Sequence, residues 1–391
     1  VDGTLTVNRR PVTVTADNKS RVYGDANPTL TFTVAADGTG TSRGMYNNQT
    51  LSGAVTTTAG SSTNVGDVSI TQGTVTNANN SNYDITYNNG TLAITARPIT
   101  LTATDRTKVY GDSLTLGTSA FTKTAGTYAN SEVATAVTLT SANGYAASTT
   151  RGVGTNANEV VASNATGTDG FLASNYDITY VAGSLAITAR PITLTATDRT
   201  KVYGDSLTLG TSAFTKTAGT YANSEVATAV TLTSANGYAA STTRGVGTNA
   251  NEVVASNATG TDGFLASNYD ITYVAGSLAI TQKALTITAD ARSTTYGTAL
   301  VLGNSAYTQV GLINNDSITG VTLKQATNST VPQTQGAGTY SGATDGILAS
   351  AAQGTGLSNY SITYVPGTLT INQKALTITA NNDSKTYGDV K

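Results

Sequence analysis

The sequence Ser-Asn-Tyr-Asp-Ile-Thr-Tyr-Val-Ala-Gly-Ser-Leu-Ala-Ile-Thr-Ala-Arg-Pro-Ile-Thr-Leu-Thr-Ala occupies residues 174–196, and Lys-Val-Tyr-Gly-Asp follows at 201–205. Close variants of this stretch occupy residues 81–112, 267–298 and 358–389. Apolar and polar residues alternate in it with a period of two, which is typical of half-buried β-strands. Val-Ala-Gly at 181–183 separates two such runs, so we expect a hairpin whose glycine adopts a positive φ.

The chain is built from internal repeats, which a recurring Tyr-Gly pair marks. The pairs begin at Tyr23, Tyr110, Tyr203, Tyr296 and Tyr387, and residues 96–188 are identical to residues 189–281. A spacing near 90 residues is too long for one coil of a solenoid but suits a small domain with its own core. We therefore divide the chain into the closing strand of a truncated preceding repeat (1–8), repeat 1 (9–95), repeat 2 (96–188), repeat 3 (189–281), repeat 4 (282–372) and the opening strand of a truncated following repeat (373–391).

The alternating runs predict an all-β fold with six or seven strands in each repeat. This count favours a tandem array of small immunoglobulin-like β-sandwich domains over a continuous β-helix. The segments 130–136 and 314–318 do not alternate and indicate a capped turn or one helical turn. If that turn is a helix lying on a sheet, a β-grasp-like domain is the alternative.

Only two residues separate the closing strand of one repeat from the opening strand of the next. Pro98 and Pro191 fix φ at two of these junctions, and neither spacer residue is Gly or Ser. We therefore expect an elongated, semi-rigid rod in which each repeat adds about 40 Å. Each junction also carries a basic residue, which we interpret as a solvated charge in preference to an interdomain salt bridge. These residues are Arg9, Arg97, Arg190, Lys283 and Lys374.

The composition argues against catalysis and against several classes of partner. The chain contains no His and no Cys, which removes the commonest general base, metal ligand and thiol nucleophile. Its net charge of -2 argues against a nucleic-acid partner. It lacks an apolar run of 18 residues, so no membrane span is expected in this segment. We expect no enzyme activity, no catalytic residues and no cofactor-binding residues.

The acidic side chains are the remaining candidate metal ligands, with Ca²⁺ at the domain junctions as the ion to consider. They lack the close Asp spacing of known calcium loops, so we expect no metal site and keep Ca²⁺ as an alternative. Asp in Thr-Asp-Gly instead favours a turn. The recurring acids are Asp105, Asp112, Glu159, Asp169 and Asp177, and then Asp198, Asp205, Glu252, Asp262 and Asp270.

Tyrosine makes up 20 of the 25 aromatic residues and allows two interpretations. Rings at alternate strand positions can form an exposed ladder that stacks on sugars. Tyr is also a good strand residue whose ring fills a sandwich core, and we favour that interpretation. The pairs concerned are Tyr83 with Tyr87, Tyr176 with Tyr180, and Tyr269 with Tyr273.

The combination of motifs resembles the MBG-type repeats of the Tyr-Gly-x variety. The resemblance rests on Lys-Val-Tyr-Gly-Asp (108–112), the Asn-x-acidic turn (130–132 and 314–316) and the closing Ser-Asn-Tyr-x-Ile-Thr-Tyr-x-x-Gly motif. It covers essentially the whole chain, although residues 142–158 are longer and richer in Gly and Thr than the pattern. The resemblance implies an all-β stalk segment of filamentous-haemagglutinin-like bacterial adhesins, located at the extracellular cell surface, and it implies no catalytic residues.

We therefore expect a structural stalk that projects a binding domain from the cell or builds extracellular, biofilm-type matrix. Its expected partners are neighbouring repeats of the same chain. One alternative is a self-assembling filament or sheath, in which copies of the chain pair through strand edges. The other is a repeated module that binds a glycan or host protein weakly and gains strength from multivalency.

Overall fold

The computed structural model describes residues 2–390 and divides into two compact units. The first unit contains the chain up to Arg190, with residues 221–224 and 267–269. The second unit contains residues 191–220 and 225–266 and the chain from Asp270 onward. Strands form all the sheets, and the one α-helix of the described residues, α1, is a four-residue turn at Gly342–Asp345. The all-β prediction is confirmed.

The first predicted repeat contains seven strands in two sheets. One sheet has the order β3-β1-β6 and the other has the order β2-β7-β5-β4. The strands are β1 (Arg10–Ala16), β2 (Lys19–Val22), β3 (Phe32–Val34), β4 (Thr56–Thr57), β5 (Gly66–Thr71), β6 (Tyr83–Asn88) and β7 (Gly90–Thr95).

The second and third predicted repeats have the same arrangement of seven strands each. Their sheet orders, β10-β8-β13 with β11-β12-β14-β9 and β17-β15-β20 with β16-β21-β19-β18, correspond strand for strand to those of the first repeat. The strands of repeat 2 are β8 (Arg97–Ala103), β9 (Arg106–Val109), β10 (Phe121–Gly126), β11 (Val133–Ser141), β12 (Gly154–Thr168), β13 (Tyr176–Val181) and β14 (Gly183–Thr188). Those of repeat 3 are β15 (Arg190–Ala196), β16 (Arg199–Val202), β17 (Phe214–Gly219), β18 (Val226–Ser234), β19 (Gly247–Thr261), β20 (Tyr269–Val274) and β21 (Gly276–Thr281).

The fourth predicted repeat keeps this frame but divides it among more, shorter strands. Its sheets have the orders β25-β22-β30, β23-β31-β28, β24-β27 and β26-β29. The strands are β22 (Lys283–Ala289), β23 (Arg292–Thr295), β24 (Leu300–Val301), β25 (Tyr307–Val310), β26 (Ser317–Gln325), β27 (Thr330–Val331), β28 (Gly338–Tyr340), β29 (Ile347–Thr355), β30 (Tyr360–Val365) and β31 (Leu369–Asn372). Short 3₁₀ turns precede β13, β20 and β30, at Ala173–Asn175, Ala266–Asn268 and Leu357–Asn359.

The alternating pattern is realised as a core between the sheets, as repeat 2 shows. In β8, Ile99, Leu101 and Ala103 are buried while the threonines between them are half-buried. In β14, Leu185 and Ile187 are buried in the same alternating way. A sheet with one face on the core and one toward solvent requires this period of two.

The predicted hairpin at Val181-Ala182-Gly183 is wrong. Strands β13 and β14 lie in different sheets, and each pairs in parallel with an opening strand of the same repeat, β13 with β8 and β14 with β9. The chain therefore crosses between sheets at Ala182. Gly183 is not among the residues with positive φ. A Cβ there would lie 2.5 Å from the backbone oxygen of Ala103, so close approach of the backbone explains this glycine.

Of the two alternatives predicted for the segment 130–136, the structure forms a turn and not a helical turn. Asn130 and Ser131 adopt left-handed conformations, with φ of 48° and 66°, and β11 begins two residues later at Val133. Asn314 and Asn315 form the same left-handed turn in the fourth repeat, with φ of 56° and 62°. Asn tolerates this region better than most residues, which explains its place in the turn.

The predicted strands at the outer ends, within 1–8 and 373–391, are not formed in the described residues. Residues 2–9 and 373–386 carry no strand, and Leu5 and Ile378 are 88% and 84% exposed. A closing strand pairs with the opening strand of its own repeat, and no partner of this kind lies beside either segment within residues 2–390.

Candidate functional site at the junctions between repeats

The Tyr-Gly-Asp motif ends the opening segment of repeat 1 and faces repeat 2, within the first unit. The Tyr23 amide donates to Thr95 O at 2.9 Å, and the Tyr23 ring is only 2% exposed. Gly24 follows with φ of +87°, and a Cβ at this position would collide with the side chain of Ala129 in repeat 2. The motif thus turns the chain and permits close contact between the two repeats.

The left-handed turn of repeat 2 supplies a buried carboxylate to receive Tyr23. The Glu132 carboxylate accepts hydrogen bonds from the hydroxyls of Tyr23 at 2.5 Å and Tyr176 at 2.7 Å, and Glu132 is only 3% exposed. The rings of Tyr23 and Tyr176 meet edge to face, with centroids 5.8 Å apart. The Tyr176 hydroxyl in turn accepts from the amide of Ala129 at 3.0 Å.

Both tyrosines at this carboxylate are held in their neutral form. Burial raises the pKa of Tyr23, and the hydrogen bond to Glu132 raises it further. Burial and then the same carboxylate raise the pKa of Tyr176. A charged acceptor also strengthens both hydrogen bonds relative to bonds between neutral groups.

A second buried side chain, Asn175, crosses the junction beside this cluster. Its Oδ1 accepts from the Val65 amide at 3.1 Å, and its Nδ2 donates to Asn64 Oδ1 at 3.0 Å. Asn175 is 1% exposed, so water cannot replace these partners without opening the junction. The adjacent motif residues Asn175 and Tyr176 therefore both bind repeat 1.

Arg97 joins the two repeats at the surface of the same junction. Its Nε donates to Tyr23 O at 2.7 Å, and its NH2 forms an ion pair with Asp25. Arg190 repeats both contacts, with Tyr110 O at 2.7 Å and with Asp112. The interpretation of these two arginines as solvated charges is wrong, because each forms the interdomain salt bridge, with a carboxylate of the preceding repeat.

The equivalent of these arginines in repeat 1 is Arg10, and not Arg9 as the sequence suggested. Arg10 begins β1, and its guanidinium donates to the carbonyls of Arg43 and Gly44, the latter at 2.8 Å. For Lys283, no ion pair occurs among the described residues.

The second unit contains the same junction between repeats 3 and 4. The Asp316 carboxylate accepts from the hydroxyls of Tyr203 at 2.9 Å and Tyr360 at 2.8 Å. The two rings again meet edge to face, with centroids 5.6 Å apart. Asn359 Oδ1 accepts from the Val246 amide at 3.0 Å, as Asn175 does from Val65. Burial raises the pKa of Tyr360 to about 12, with Asp316 contributing.

In repeat 1, the surface that corresponds to the docking surface of repeat 2 is formed although no preceding repeat packs on it within residues 2–390. Asn47 and Asn48 make the left-handed turn, with φ of 46° and 57°, and Gln49 stands where repeat 2 has Glu132. The Tyr83 hydroxyl donates to Gln49 Oε1 at 2.7 Å. This preformed arrangement means that docking needs little rearrangement of the receiving repeat.

The exposure of the Tyr-Gly tyrosine depends on a following repeat. Tyr23 and Tyr203 are 2% and 3% exposed, whereas Tyr296, beside which no following repeat packs in the described residues, is 46% exposed. In the sequence this Tyr-Gly pair served only to mark the repeats, and the role of its ring in the next repeat was missed. Recurrence of Tyr-Gly, Asn-x-acidic and Ser-Asn-Tyr together was the available signal.

The acids considered for Ca²⁺ act as separate hydrogen-bond acceptors. Asp105 accepts from the Ser184 amide at 2.6 Å, which lowers its pKa. Burial raises the pKa of Glu159, but bonds from Ser141, Asn143 and Tyr145 lower it overall. Residues 2–390 contain no group of three acids placed to hold a metal ion. Asp112 pairs with Arg190, Asp169 accepts from Thr168, and Asp177 is exposed. The corresponding acids of repeat 3 are Asp198, Asp205, Glu252, Asp262 and Asp270.

The strand tyrosines lie in the core and at the junctions, and do not form an exposed ladder. Tyr83, Tyr176 and Tyr269 are 5–6% exposed. The half-buried Tyr180 hydroxyl accepts from the Ala165 amide at 2.9 Å, and the Tyr87 hydroxyl donates to Ile70 O at 3.2 Å. These contacts support the favoured interpretation, in which the strand tyrosines are structural.

Small two-sheet domains that dock end to end through a built interface define a tandem β-repeat protein. The MBG domain family of the YGX type matches residues 12–93 and 285–370, so repeats 1 and 4 are MBG repeats, as the motifs predicted. Residues 96–281 lie between the two matched regions and form sheets of the same strand order. The family is one of structural repeats and not a known enzyme family. Neither the curated proteins nor the solved structures contain a match to this chain.

Proposed function

We propose that this chain is part of the structural stalk of a secreted bacterial surface adhesin. Its repeats hold a binding domain away from the cell, or build extracellular matrix, at the cell surface. The observation that carries the proposal is the docked junction, in which one carboxylate joins tyrosines of two successive repeats. A chain that only needed to link domains would gain nothing from enclosing these polar groups between repeats.

The contacts also support the stalk by their position on both sides of the short linker. Arg97 holds the Tyr-Gly-Asp turn on one side, and Asn175 holds the Val65 amide on the other. Two separated attachments resist bending about the linker, which one attachment cannot do. No helix within residues 2–390 is long and apolar enough to cross a membrane.

Small-angle X-ray scattering of the whole chain tests whether the junctions restrain the repeats. We expect a narrow distribution of long distances that broadens when Glu132 and Asp316 are together replaced by alanine. A distribution for the unmodified chain that already matches freely jointed domains would contradict the proposal. Electron micrographs showing fibres instead of single particles would favour the filament or sheath alternative.

The height of the chain's outer end above the bacterial surface tests the proposed stalk at the cell surface. A tag at the outer end of a chain displayed on bacteria should lie lower by roughly 80 Å after deletion of repeats 2 and 3, at the length per repeat expected for extended strands. An unchanged height would contradict a stalk. The glycan-binding alternative has less support, because Tyr83, Tyr176 and Tyr269, which would belong to its ladder, are engaged in the core and at the junctions.

A further inference from the structure

The opening and closing segments of each repeat run side by side in the same direction. In repeat 2, β8 pairs in parallel with β13 over six residue pairs, from Arg97 with Tyr176 to Thr102 with Val181. After both segments cross to the second sheet, β9 pairs in parallel with β14 over four more. Repeats 1 and 4 have the same parallel registers, and repeat 3 has the corresponding strand orders.

This pairing determines how tension acts on a repeat. The chain enters repeat 2 at the start of β8 and leaves at the end of β14. Because the paired segments are parallel, these two points lie at opposite ends of the ladder. Tension then slides one segment along the other and loads all its hydrogen bonds together. In an antiparallel pair pulled from adjacent ends, the bonds would break one after another.

The ends of the ladder are closed by backbone bonds. The Arg10 amide donates to Asn82 O at 2.9 Å where the chain enters repeat 1. The Tyr110 amide donates to Thr188 O at 2.9 Å where it leaves repeat 2, and Tyr23 and Tyr203 make the same bond to Thr95 and Thr281. The Tyr-Gly motif therefore completes the ladder within its repeat before its side chain docks on the next.

The prolines avoid this ladder. In repeat 1, Thr13 O accepts from the Ala35 amide and the Asp17 amide donates to Thr31 O, on either side of β3. Alternation along the strand therefore points Pro11 toward β3 and Val12 toward β6. Pro98 has the same place in repeat 2. The missing N–H of the proline thus removes no bond between the opening and closing segments.

We propose that the parallel opening and closing segments of each repeat form a mechanical clamp that resists tension along the chain. Its biological use rests on the proposed stalk function, but the clamp is a property of each repeat. Forced unfolding is governed by the rate of crossing an unfolding barrier, so a clamp can raise mechanical resistance without raising equilibrium stability. The clamp is therefore separable from ordinary stability by experiment.

Two matched proline variants test the clamp in the full chain. By the alternation of the ladder, Thr179 donates its amide to β8 from β13, and Thr122 donates its amide to β8 from the opposite edge strand, β10. Both side chains are exposed. The clamp variant is Thr179→Pro with Thr272→Pro, and the control is Thr122→Pro with Thr215→Pro. Each removes one equivalent bond from the two identical repeats.

The measurement is single-molecule stretching from the two ends of the chain. The unmodified chain should show four events, each releasing roughly 30 nm at about 3.3–3.6 Å per residue. The clamp variant should lose two of the four high-force events to lower force, with repeats 1 and 4 as internal references. The control should keep all four. Equal lowering in both variants, or no lowering in the clamp variant, would overturn the proposal.

A change of pulling direction keeps the test decisive if a proline variant does not fold. The chain has no Cys, so handles attach only at introduced cysteines. Thr100 and Thr179 are opposed in register, and pulling between T100C and T179C peels the ladder instead of shearing it. We expect a rupture force well below that of end-to-end stretching. Equal forces would overturn the clamp while leaving the stalk proposal to the scattering and height measurements.

Discussion

The junction between repeats 1 and 2 and the junction between repeats 3 and 4 share a center, which consists of a carboxylate, two tyrosines and an asparagine. They differ at the edge, where an arginine of one repeat can pair with an aspartate of the preceding one. In both, one carboxylate accepts from a tyrosine of each repeat, and one asparagine accepts a backbone amide of the preceding repeat. Only the first junction has the ion pair, since Lys283 stands where the first has Arg97. The carboxylate and the asparagine of the shared part are buried at the first junction and half-buried at the second, and the ion pair is partly exposed.

This difference teaches which contacts the docking depends on. Side-chain exposure in the ion pair is 17% for Arg97 and 53% for Asp25, so solvent screens it, and pairs of this kind contribute about 0–1 kcal/mol. At the first junction the carboxylate that accepts from the hydroxyls of Tyr23 and Tyr176 is only 3% exposed, and leaving a buried hydroxyl without a partner costs about 1–3 kcal/mol. The center therefore determines the strength of docking, and the edge adjusts it.

The largest expected effect is that of Glu132→Ala. It leaves the hydroxyls of Tyr23 and Tyr176 without their acceptor in a site where Glu132 is 3% exposed, and should cost about 2–4 kcal/mol at the first junction. Asp316→Ala should cost less, since Asp316 is half-buried and water can reach the tyrosines. Denaturant unfolding monitored by hydrogen exchange in each repeat measures both losses.

Glu132→Gln is the matched control for this prediction. Gln49 already accepts from Tyr83 in repeat 1, so the amide should retain most of the docking. A loss from Glu132→Gln as large as that from Glu132→Ala would mean that charge, and not the hydrogen bonds, holds the junction.

The asparagines should show a smaller difference in the same direction. Asn175→Ala removes bonds to the Val65 amide and to Asn64 at a site that is 1% exposed, and should cost about 1–3 kcal/mol. Asn359 is half-buried, so Asn359→Ala should cost about 1 kcal/mol or less. Equal costs measured by the same exchange experiment would contradict the assigned roles.

Alkaline pH should weaken both junctions. The folded protein favours neutral tyrosine, and burial raises the pKa of Tyr360 from 10.0 to about 12. The stabilisation is thus complete below about pH 10 and is lost as the pH rises through about 12. Tyrosine-labelled NMR should show the ring of Tyr360 titrating after those of exposed tyrosines. Tyr360 titrating near 10 would show that its hydroxyl is not buried at the carboxylate.

The smallest effects belong to the ion pair. Arg97→Lys should cost less than about 1 kcal/mol, and Lys283→Arg should add a few tenths at the other junction if it reaches Asp205. Both changes should shrink in high salt, because the groups are partly exposed. A loss above 2 kcal/mol in Arg97→Lys would place the ion pair at the center of docking after all.

Much of the local structure could be predicted from the sequence, because alternation and repetition are visible along a single chain. The buried faces of β8 and β14 follow directly from Ile99, Leu101, Leu185 and Ile187. Strand partners could not be predicted in the same way. Val-Ala-Gly at 181–183 resembles a hairpin loop, but its role depends on Ala103, about 80 positions away, whose backbone approaches Gly183.

The junction was missed for a similar reason. Tyr23 and Glu132 are 109 residues apart and belong to different repeats, so neither looks unusual within its own repeat. A lone acid in a turn is normally solvated, and only the contact with the preceding repeat buries Glu132. What the sequence did show is that the linker is short and lacks glycine, and the restraint that this predicts is what the scattering measurement tests.

Hydrogen exchange at the Val65 amide tests the docked junction most directly. This amide lies in repeat 1 and donates its hydrogen bond across the junction to Asn175, not to Glu132. We expect slow exchange in the unmodified chain and acceleration by at least about tenfold in Glu132→Ala, corresponding to about 1.4 kcal/mol or more of lost docking. Fast exchange in the unmodified chain, or an unchanged rate in Glu132→Ala, would contradict a junction that docks as one unit.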